Sequence, residues 1–199
     1  MASLREIRPE PGESLADFTE RLAVVFQAAS TAAQECYRAE IRGLIRTPEA
    51  ETLGVGLVGK LDIVDRAPII FQRLTAPGLP AGDYNRYLIA LGQLFYEPAA
   101  STIEAQFLRG KTKAAASVAL LLIDPARAKA PFRDYAQRKP DEGTALAGVG
   151  LLEYHGKKGL AGIESRVDAI PDELIRGTSD LFYFPAGLTT FLNSHKRLT

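Results

Sequence analysis

The sequence contains few of the residues that most often hold metals or perform nucleophilic chemistry. Its 199 residues include one cysteine, two histidines and no tryptophan. The single cysteine, Cys36, excludes an internal disulfide and fits a reducing compartment. His155 and His195 lie far apart in the chain, and no H-x-x-x-H or C-x-x-C pair occurs. We therefore expect no metal site and no cofactor, and the absence of G-x-S-x-G makes an enzyme the less favoured interpretation.

Long apolar runs are also missing. No run reaches the roughly 18 residues of a membrane span, and the longest, AAASVALLLI at 114–123, is typical of a buried helix. The first residues, MASLREIRPEPGES, lack the apolar core of a secretory signal. We therefore expect a soluble protein without membrane insertion. Its expected location is the cytoplasm, or a virion or other particle if the chain is viral.

Strand patterns are scarce as well. The chain has few alternating apolar runs and no Asn-Gly or Asp-Gly hairpin turn. Alanine, leucine, arginine and glutamate dominate, and these residues favour helix. Helix starts are indicated by capping residues at Ser14, Thr47-Pro48, Asp83 and Asp124-Pro125. The sequence therefore predicts an all-α fold, broken at proline- and glycine-rich stretches such as 155–159.

The most suggestive motif is TLGVGLVGKLD at 52–62, where three glycines spelling G-x-G-x-x-G precede Lys60. A dinucleotide fingerprint requires a strand before the glycines, but the preceding TPEAETL resembles a helix start. A Walker loop requires serine or threonine after the lysine, and Leu61 stands there. Close packing of helices against small residues is therefore the favoured interpretation over nucleotide binding.

The chain also contains an ordered series of internal matches. VDRAPIIFQRLT at 64–75 and VDAIPDELIRGT at 167–178 share V-D-x-x-P-x-x-x-x-R-x-T. Upstream, GVGLV at 54–58 matches GVGLL at 148–152, and a Pro-Ala-Gly turn follows downstream in both copies. Matches in the same order indicate a tandem duplication.

This duplication predicts the domain organisation. We expect an N-terminal arm at 1–13, helical repeat 1 at 14–98 and helical repeat 2 at 99–199, forming either two units or one compact unit. The two repeats are expected to be similar helical bundles packed with pseudo-twofold symmetry, like an isologous dimer joined in one chain.

Positive charge is concentrated in one segment. The formal net charge is zero, but residues 109–139 carry eight Lys or Arg against two Asp. Such a segment attracts anionic partners, whereas the alternative is a set of solvated helix faces. The candidate anion- or partner-binding residues in this segment are Arg109, Lys111, Lys113, Arg127 and Arg133.

A second candidate is YHGKKG at 154–159, which has no counterpart in the first repeat. Loops inserted in one copy of a scaffold often carry function. We therefore add His155, Lys157 and Lys158 to the candidate binding residues, with a solvated turn as the alternative.

Two short stretches resemble parts of viral proteins. LPAGDYNRYL…FLRGKTK within 79–113 is similar to a segment of the helical nucleoproteins of segmented negative-strand RNA viruses. ESLADFTERL at 13–22 resembles the end of the retroviral capsid homology region but lacks the Gln-Gly that begins that motif. The two families are unrelated, so no functional residue is carried over from either.

Three functions remain open from the sequence. The first is a non-catalytic assembly or interaction protein that self-associates or binds a protein partner, such as a viral, phage or other shell or scaffold component. The second is a small-molecule-binding protein or enzyme with a pocket between the two halves. The third and weakest is RNA packaging through the basic segment 109–139.

Overall fold

The computed structural model describes residues 3–109 and 112–195, with the side chains of Arg5 and Arg109 excepted. Within these ranges the chain forms twelve α-helices and three short 3-10 turns, without a strand. The predicted all-α fold class is therefore confirmed. None of the described helices is both long enough and apolar enough to cross a bilayer.

The contacts divide the chain into two compact units, which separate between Leu94 and Phe95. The first unit contains α1 (Leu15–Ala28), α2 (Thr31–Leu44), α3 (Glu51–Lys60), α4 (Ala67–Thr75) and α5 (Tyr84–Gln93). The second unit contains α6 (Ala100–Arg109), α7 (Lys113–Ile123), α8 (Pro125–Arg138), α9 (Pro140–Lys158), α10 (Ile163–Val167), α11 (Asp172–Leu181) and α12 (Ala186–His195).

The core of the first unit is built around α3, which contacts α1, α2 and α5. Val55, Leu57 and Val58 are fully buried although they point to different sides of the helix, as expected of a helix that is covered all round. The neighbouring α1 is capped by Ser14, whose hydroxyl accepts a hydrogen bond from the Asp17 N–H. This arrangement places one face of α1 and one face of α5 beside the glycines of α3.

The core of the second unit is built around α9, which contacts α7, α8 and α11. Every residue from 115 to 123 of α7 is buried, so the expected buried helix in the longest apolar run is confirmed. The following α8 is capped by Asp124, whose carboxylate accepts from the N–H groups of Ala126 and Arg127.

Two local predictions were wrong. The turn predicted at 155–159 is largely helical, because α9 continues through Lys158 and ends only at Gly159, with a left-handed φ of 63°. Thr47-Pro48 starts a turn and not a helix, since α3 begins at Glu51. The helix start predicted at Asp83 is confirmed, because α5 begins at Tyr84 directly after it, although the Asp83 side chain makes no capping bond.

Candidate functional site

The glycine motif lies inside a helix. Residues 51–60 form α3, so their backbone N–H groups are arranged along a helix and not around a phosphate loop. A Cβ at Gly54 would lie 2.9 Å from the Leu44 Cβ, and a Cβ at Gly59 would lie 2.8 Å from the Ala90 Cα. The interpretation as close helix packing is confirmed for these two glycines.

Two other residues of the motif, Gly56 and Lys60, line a cleft of about 490 Å³ in the first unit. The cleft lies among α1, α3 and α5. Its polar lining includes Asp17, Thr19, Glu20, Asn85, Arg86 and Gln93. Its size falls within the roughly 300–1,000 Å³ that is typical of small-molecule sites.

The central cation of this cleft is Arg86 on α5. Its Nη1 donates to the Thr19 hydroxyl at 3.3 Å, and that hydroxyl donates to the Leu15 carbonyl at 2.6 Å. The threonine hydroxyl is therefore oriented by α1, with a lone pair facing the guanidinium. This chain of hydrogen bonds holds Arg86 at the wall of the cleft.

Arg86 is a partly buried cation without a close counterion. Burial lowers the pKa of its guanidinium, and the charge of Asp83 acts in the opposite direction. Arginine nevertheless remains protonated in proteins. Among the described residues, the ion pairs within 4.0 Å do not include Arg86. The guanidinium thus has hydrogen-bonding and charge capacity left for an anion.

Because Gly56 has no side chain, the Arg86 guanidinium can lie close to the backbone of α3. A Cβ at this position would lie 3.3 Å from Arg86 Nη1 and 3.2 Å from Thr19 Cγ2. Both distances are closer than ordinary van der Waals contact, so any larger residue would displace the arginine or the threonine. The glycine is therefore part of the cleft wall.

A second pair of charges lies at the same cleft. Lys60 on α3 forms an ion pair with Glu20 on α1, and both side chains remain accessible to solvent. Lys60 would have to give up Glu20 to bind an anion, whereas Arg86 forms no ion pair within 4.0 Å among the described residues, although the Asp17 carboxylate lines the same cleft.

The residues predicted from the basic segment do not converge on this cleft. The Arg109 side chain and all of Lys111 lie outside the described part of the chain. Lys113 lies over the Phe107 ring at 5.7 Å, and Arg127 pairs with Glu104 and Asp124, each at 3.2 Å.

Arg133 lies in a different place again. It is exposed on α8 and lines a separate cleft of about 350 Å³ beside Lys129 and residues 168–173. This cleft also contains acidic side chains, so Arg133 does not face a purely cationic surface.

The residues predicted from YHGKKG occupy the last turn of α9. Lys158 lies with its Nζ 4.8 Å from the centroid of the Phe95 ring, in a cation–π contact. His155 and Lys157 are half-buried on the same turn. All three residues remain predicted binding residues, placed on a helix and not on a loop.

Sequence reasoning missed Arg86, Thr19 and Glu20. Thr19 and Arg86 are separated by 67 positions, and no local pattern links them. The available signal was Gly56, because a glycine in the middle of a helix indicates that something approaches its backbone closely.

No protein-family model, curated protein or solved structure matches the chain.

Proposed function

We propose that the protein binds a small oxyanion-bearing molecule, a phosphate or a carboxylate, in the cleft of the first unit. The observation that carries this proposal is Arg86, a partly buried guanidinium that Thr19 orients and that no carboxylate pairs within 4.0 Å among the described residues. Burying a cation without a counterion is unfavourable, and an anionic ligand supplies the missing charge.

The cleft volume sets the size of the ligand. About 490 Å³ is larger than a phosphate ion needs and suits a small metabolite with one anionic group. The ion-paired Lys60 and Glu20 offer one further donor and one further acceptor to the rest of such a molecule.

The sequence predicted a small-molecule site between the two halves of the chain. The proposed site also binds a small molecule but lies within the first unit. The proposal is limited to binding.

The proposal is tested by calorimetric titration of the full chain with inorganic phosphate, pyrophosphate and succinate at low ionic strength. Arg86→Gln is expected to weaken binding about 10- to 100-fold, the range for a hydrogen-bonded charged group. Arg46→Gln is the matched control, since Arg46 is an exposed arginine on the same unit.

Equal binding by the wild type and Arg86→Gln would contradict the proposal. So would the absence of binding by all three probes at about 10 mM, a concentration at which even contacts of a few kcal/mol are detected. A difference between phosphate and succinate would identify the class of oxyanion.

We propose further that the two units arose by tandem duplication, with one copy retaining an open cleft. Two similarities support this. The matched glycine segments lie on the central helices α3 and α9. Gly56 faces α1, and its counterpart Gly150 faces α7 at the same position in the helix order.

One matched pair of glycines differs between the units. A Cβ at Gly54 would meet the end of α2, whereas a Cβ at Gly148 would meet the Phe182 ring, which follows α11. The duplication is therefore supported by the order of the helices and by one of the two glycine pairs. The packing after the central helix differs, because α3 packs on α5 whereas α9 packs on α11, the counterpart of α4. The pseudo-twofold packing stays a prediction.

A second candidate function is self-association through an exposed apolar segment. Leu181 and Tyr183 are 63% and 100% exposed and flank Phe182, where the backbone becomes extended after α11. Exposed apolar side chains next to each other are typical of interaction surfaces. The proposed partner is a second copy of this chain, in line with an assembly or shell component.

Light scattering coupled to size-exclusion chromatography tests this second function. The wild type is expected to form oligomers that the double variant Leu181→Ser/Tyr183→Ser loses, while Val24→Ser, an exposed apolar position on α1, leaves them unchanged. A monomer at every concentration would contradict self-association.

RNA packaging is the least supported of the three functions. Arg127, Arg138 and Lys139 of the basic segment each lie within ion-pair distance of a carboxylate. Local pairing of this kind reduces the positive field that a polyanion experiences.

A further inference from the structure

The second unit brings together three side chains that sequence spacing did not connect. Glu164 and Asp168 lie one turn apart at α10 and its end, and His195 lies near the end of α12. One donor atom from each residue lies within 4.8 Å of the other two. The closest pair is His195 Nε2 and Asp168 Oδ1, which are 2.8 Å apart.

We propose that Glu164, Asp168 and His195 form a binding site for a divalent transition metal of the Zn²⁺ class. An imidazole nitrogen and two carboxylate oxygens match the donors that bind Zn²⁺. Mg²⁺ and Ca²⁺ prefer a shell of oxygen donors and do not match the imidazole. This site is independent of the cleft in the first unit and does not rest on the function proposed for that cleft.

The distances are compatible with a shared ion. Zn²⁺ lies about 2.0–2.2 Å from nitrogen and oxygen ligands, so two tetrahedral donors are about 3.4 Å apart. The donor atoms farthest apart, within 4.8 Å of each other, need to approach by at most about 1.4 Å, whereas His195 Nε2 and Asp168 Oδ1, now 2.8 Å apart, need to separate by about 0.6 Å. Both carboxylate side chains are exposed and have room for this movement.

The imidazole is already oriented toward the carboxylates. Its ring stacks on Phe191, one turn earlier on α12, with centroids 5.0 Å apart and planes 17° apart. Stacking restricts the ring, and the hydrogen bond to Asp168 selects Nε2 as the nitrogen that faces the acidic pair. An ion at this position would bind Nε2 directly.

The charges favour a cation at this position. Glu164 and Asp168 are like charges one turn apart, an arrangement that repels. A divalent ion bound between the two carboxylates would relieve this repulsion. The alternative is that the His195–Asp168 contact only holds α12 against the end of α10 and binds no metal.

The two interpretations differ in a direct binding measurement. The full chain, freed of metal with a chelator, is titrated with Zn²⁺ by calorimetry and with Co²⁺ by visible absorption. One ion per chain is expected, with absorption bands typical of low-coordinate Co²⁺. Bound Zn²⁺ is also expected to raise the melting temperature, because only the folded chain assembles the three ligands.

Matched variants locate the site. His195→Ala, Asp168→Asn and Glu164→Gln are each expected to weaken Zn²⁺ binding by more than about tenfold. His155→Ala is the control, because the chain has only two histidines and His155 lies at the end of α9. Excess Mg²⁺ is expected not to displace the ion.

Three outcomes would overturn the proposal. The first is an absence of Zn²⁺ binding at about 100 µM, which corresponds to an affinity too weak for a three-ligand site. The second is unchanged affinity in His195→Ala, with the loss appearing in His155→Ala instead. The third is full competition by Mg²⁺, which would assign any binding to the acidic pair alone. Circular dichroism of each variant confirms that its fold is intact.

Discussion

The phenol of Tyr87 on α5 donates a 2.7 Å hydrogen bond to the carboxylate of Glu51, in the first turn of α3. The same carboxylate lies 3.4 Å from Arg73 Nε on α4. Tyr87 is 1% exposed, so its hydroxyl depends on Glu51 for a partner. One carboxylate thereby connects three helices of the first unit.

Removing the Tyr87 hydroxyl is expected to destabilise the protein. Tyr87→Phe keeps the buried ring and loses a hydrogen bond to a charged acceptor, which costs about 1.5–3 kcal/mol in free energy of unfolding. Tyr84→Phe is the control, because Tyr84 is half-buried on the same helix. Urea denaturation checks the difference, and equal stabilities of the two variants would remove the role assigned to the bond.

Two tyrosines are expected to resist ionisation. Burial raises the pKa of Tyr135 to about 12, with the charges of Glu142 and Asp134 adding to the shift. Burial also raises the pKa of Tyr87, and its hydrogen bond to Glu51 adds to this. In an ultraviolet titration of tyrosinate, these two residues should ionise above the ordinary tyrosine pKa of about 10, and Tyr135→Phe should remove one late step.

The same shifts predict how stability depends on pH. The folded chain holds these two protons more tightly than the unfolded chain, whose tyrosines titrate at about 10. The stability they contribute is therefore complete below about pH 10 and is lost as the pH rises through the folded pKa of about 12 for Tyr135. A smaller loss of stability in Tyr135→Phe than in the wild type over this range is the expected result.

The features that are set by residues close together in the sequence could be predicted from it. The all-α class follows from composition, and the buried α7 follows from a single apolar run. The glycines of α3 were expected to pack closely, because the preceding segment has no strand character. Their role in the cleft could not be predicted, since it depends on which faces of α1 and α5 meet α3.

The errors in local structure have a common cause. Thr47-Pro48 has the composition of a helix start, but tertiary packing places the first turn of α3 at Glu51. The α9 helix continues through His155 and Lys157 although glycine surrounds them, because the cost of one glycine is smaller than the gain from packing. Capping residues and glycines indicate where a helix can end, and packing decides where it does.

Substitution by alanine is expected to destabilise the protein at a closely packed helical glycine and to stabilise it at a helical glycine without close neighbours. Gly59→Ala places a methyl group 2.8 Å from the Ala90 Cα and against Gln93. Because the backbone of α5 cannot move aside easily, we expect the free energy of unfolding to fall by about 1–3 kcal/mol. Gly156→Ala on α9 meets nothing within 4 Å and should stabilise the helix by up to about 1 kcal/mol.

Thermal or urea unfolding of both glycine variants measures the contrast. A Gly59→Ala variant as stable as Gly156→Ala would mean that α3 and α5 are farther apart than the structure indicates. The comparison thus tests the spacing of the two helices that form the cleft.

The last prediction concerns the acid titration of Glu13. Arg21 donates from Nε and Nη2 to the two Glu13 oxygens, at 2.8 and 2.7 Å, and these bonds hold the pKa of Glu13 at about 2, below its ordinary 4.5. The folded chain binds this proton less readily than the unfolded chain. The stability from the pair is therefore present above about pH 4.5 and is lost as the pH falls toward 2.

Carboxyl chemical shifts in an NMR titration measure this pKa directly. Arg21→Gln is expected to return Glu13 to a value near 4.5, whereas Arg46→Gln, at an exposed arginine on the same unit, leaves it low. A Glu13 pKa that stays near its ordinary value in the wild type would mean that the fork between Arg21 and Glu13 does not persist in solution. Arg21 Nη2 also donates to the Arg8 carbonyl at 2.9 Å. Without the fork to Glu13, Arg21 would hold the segment before α1 less firmly.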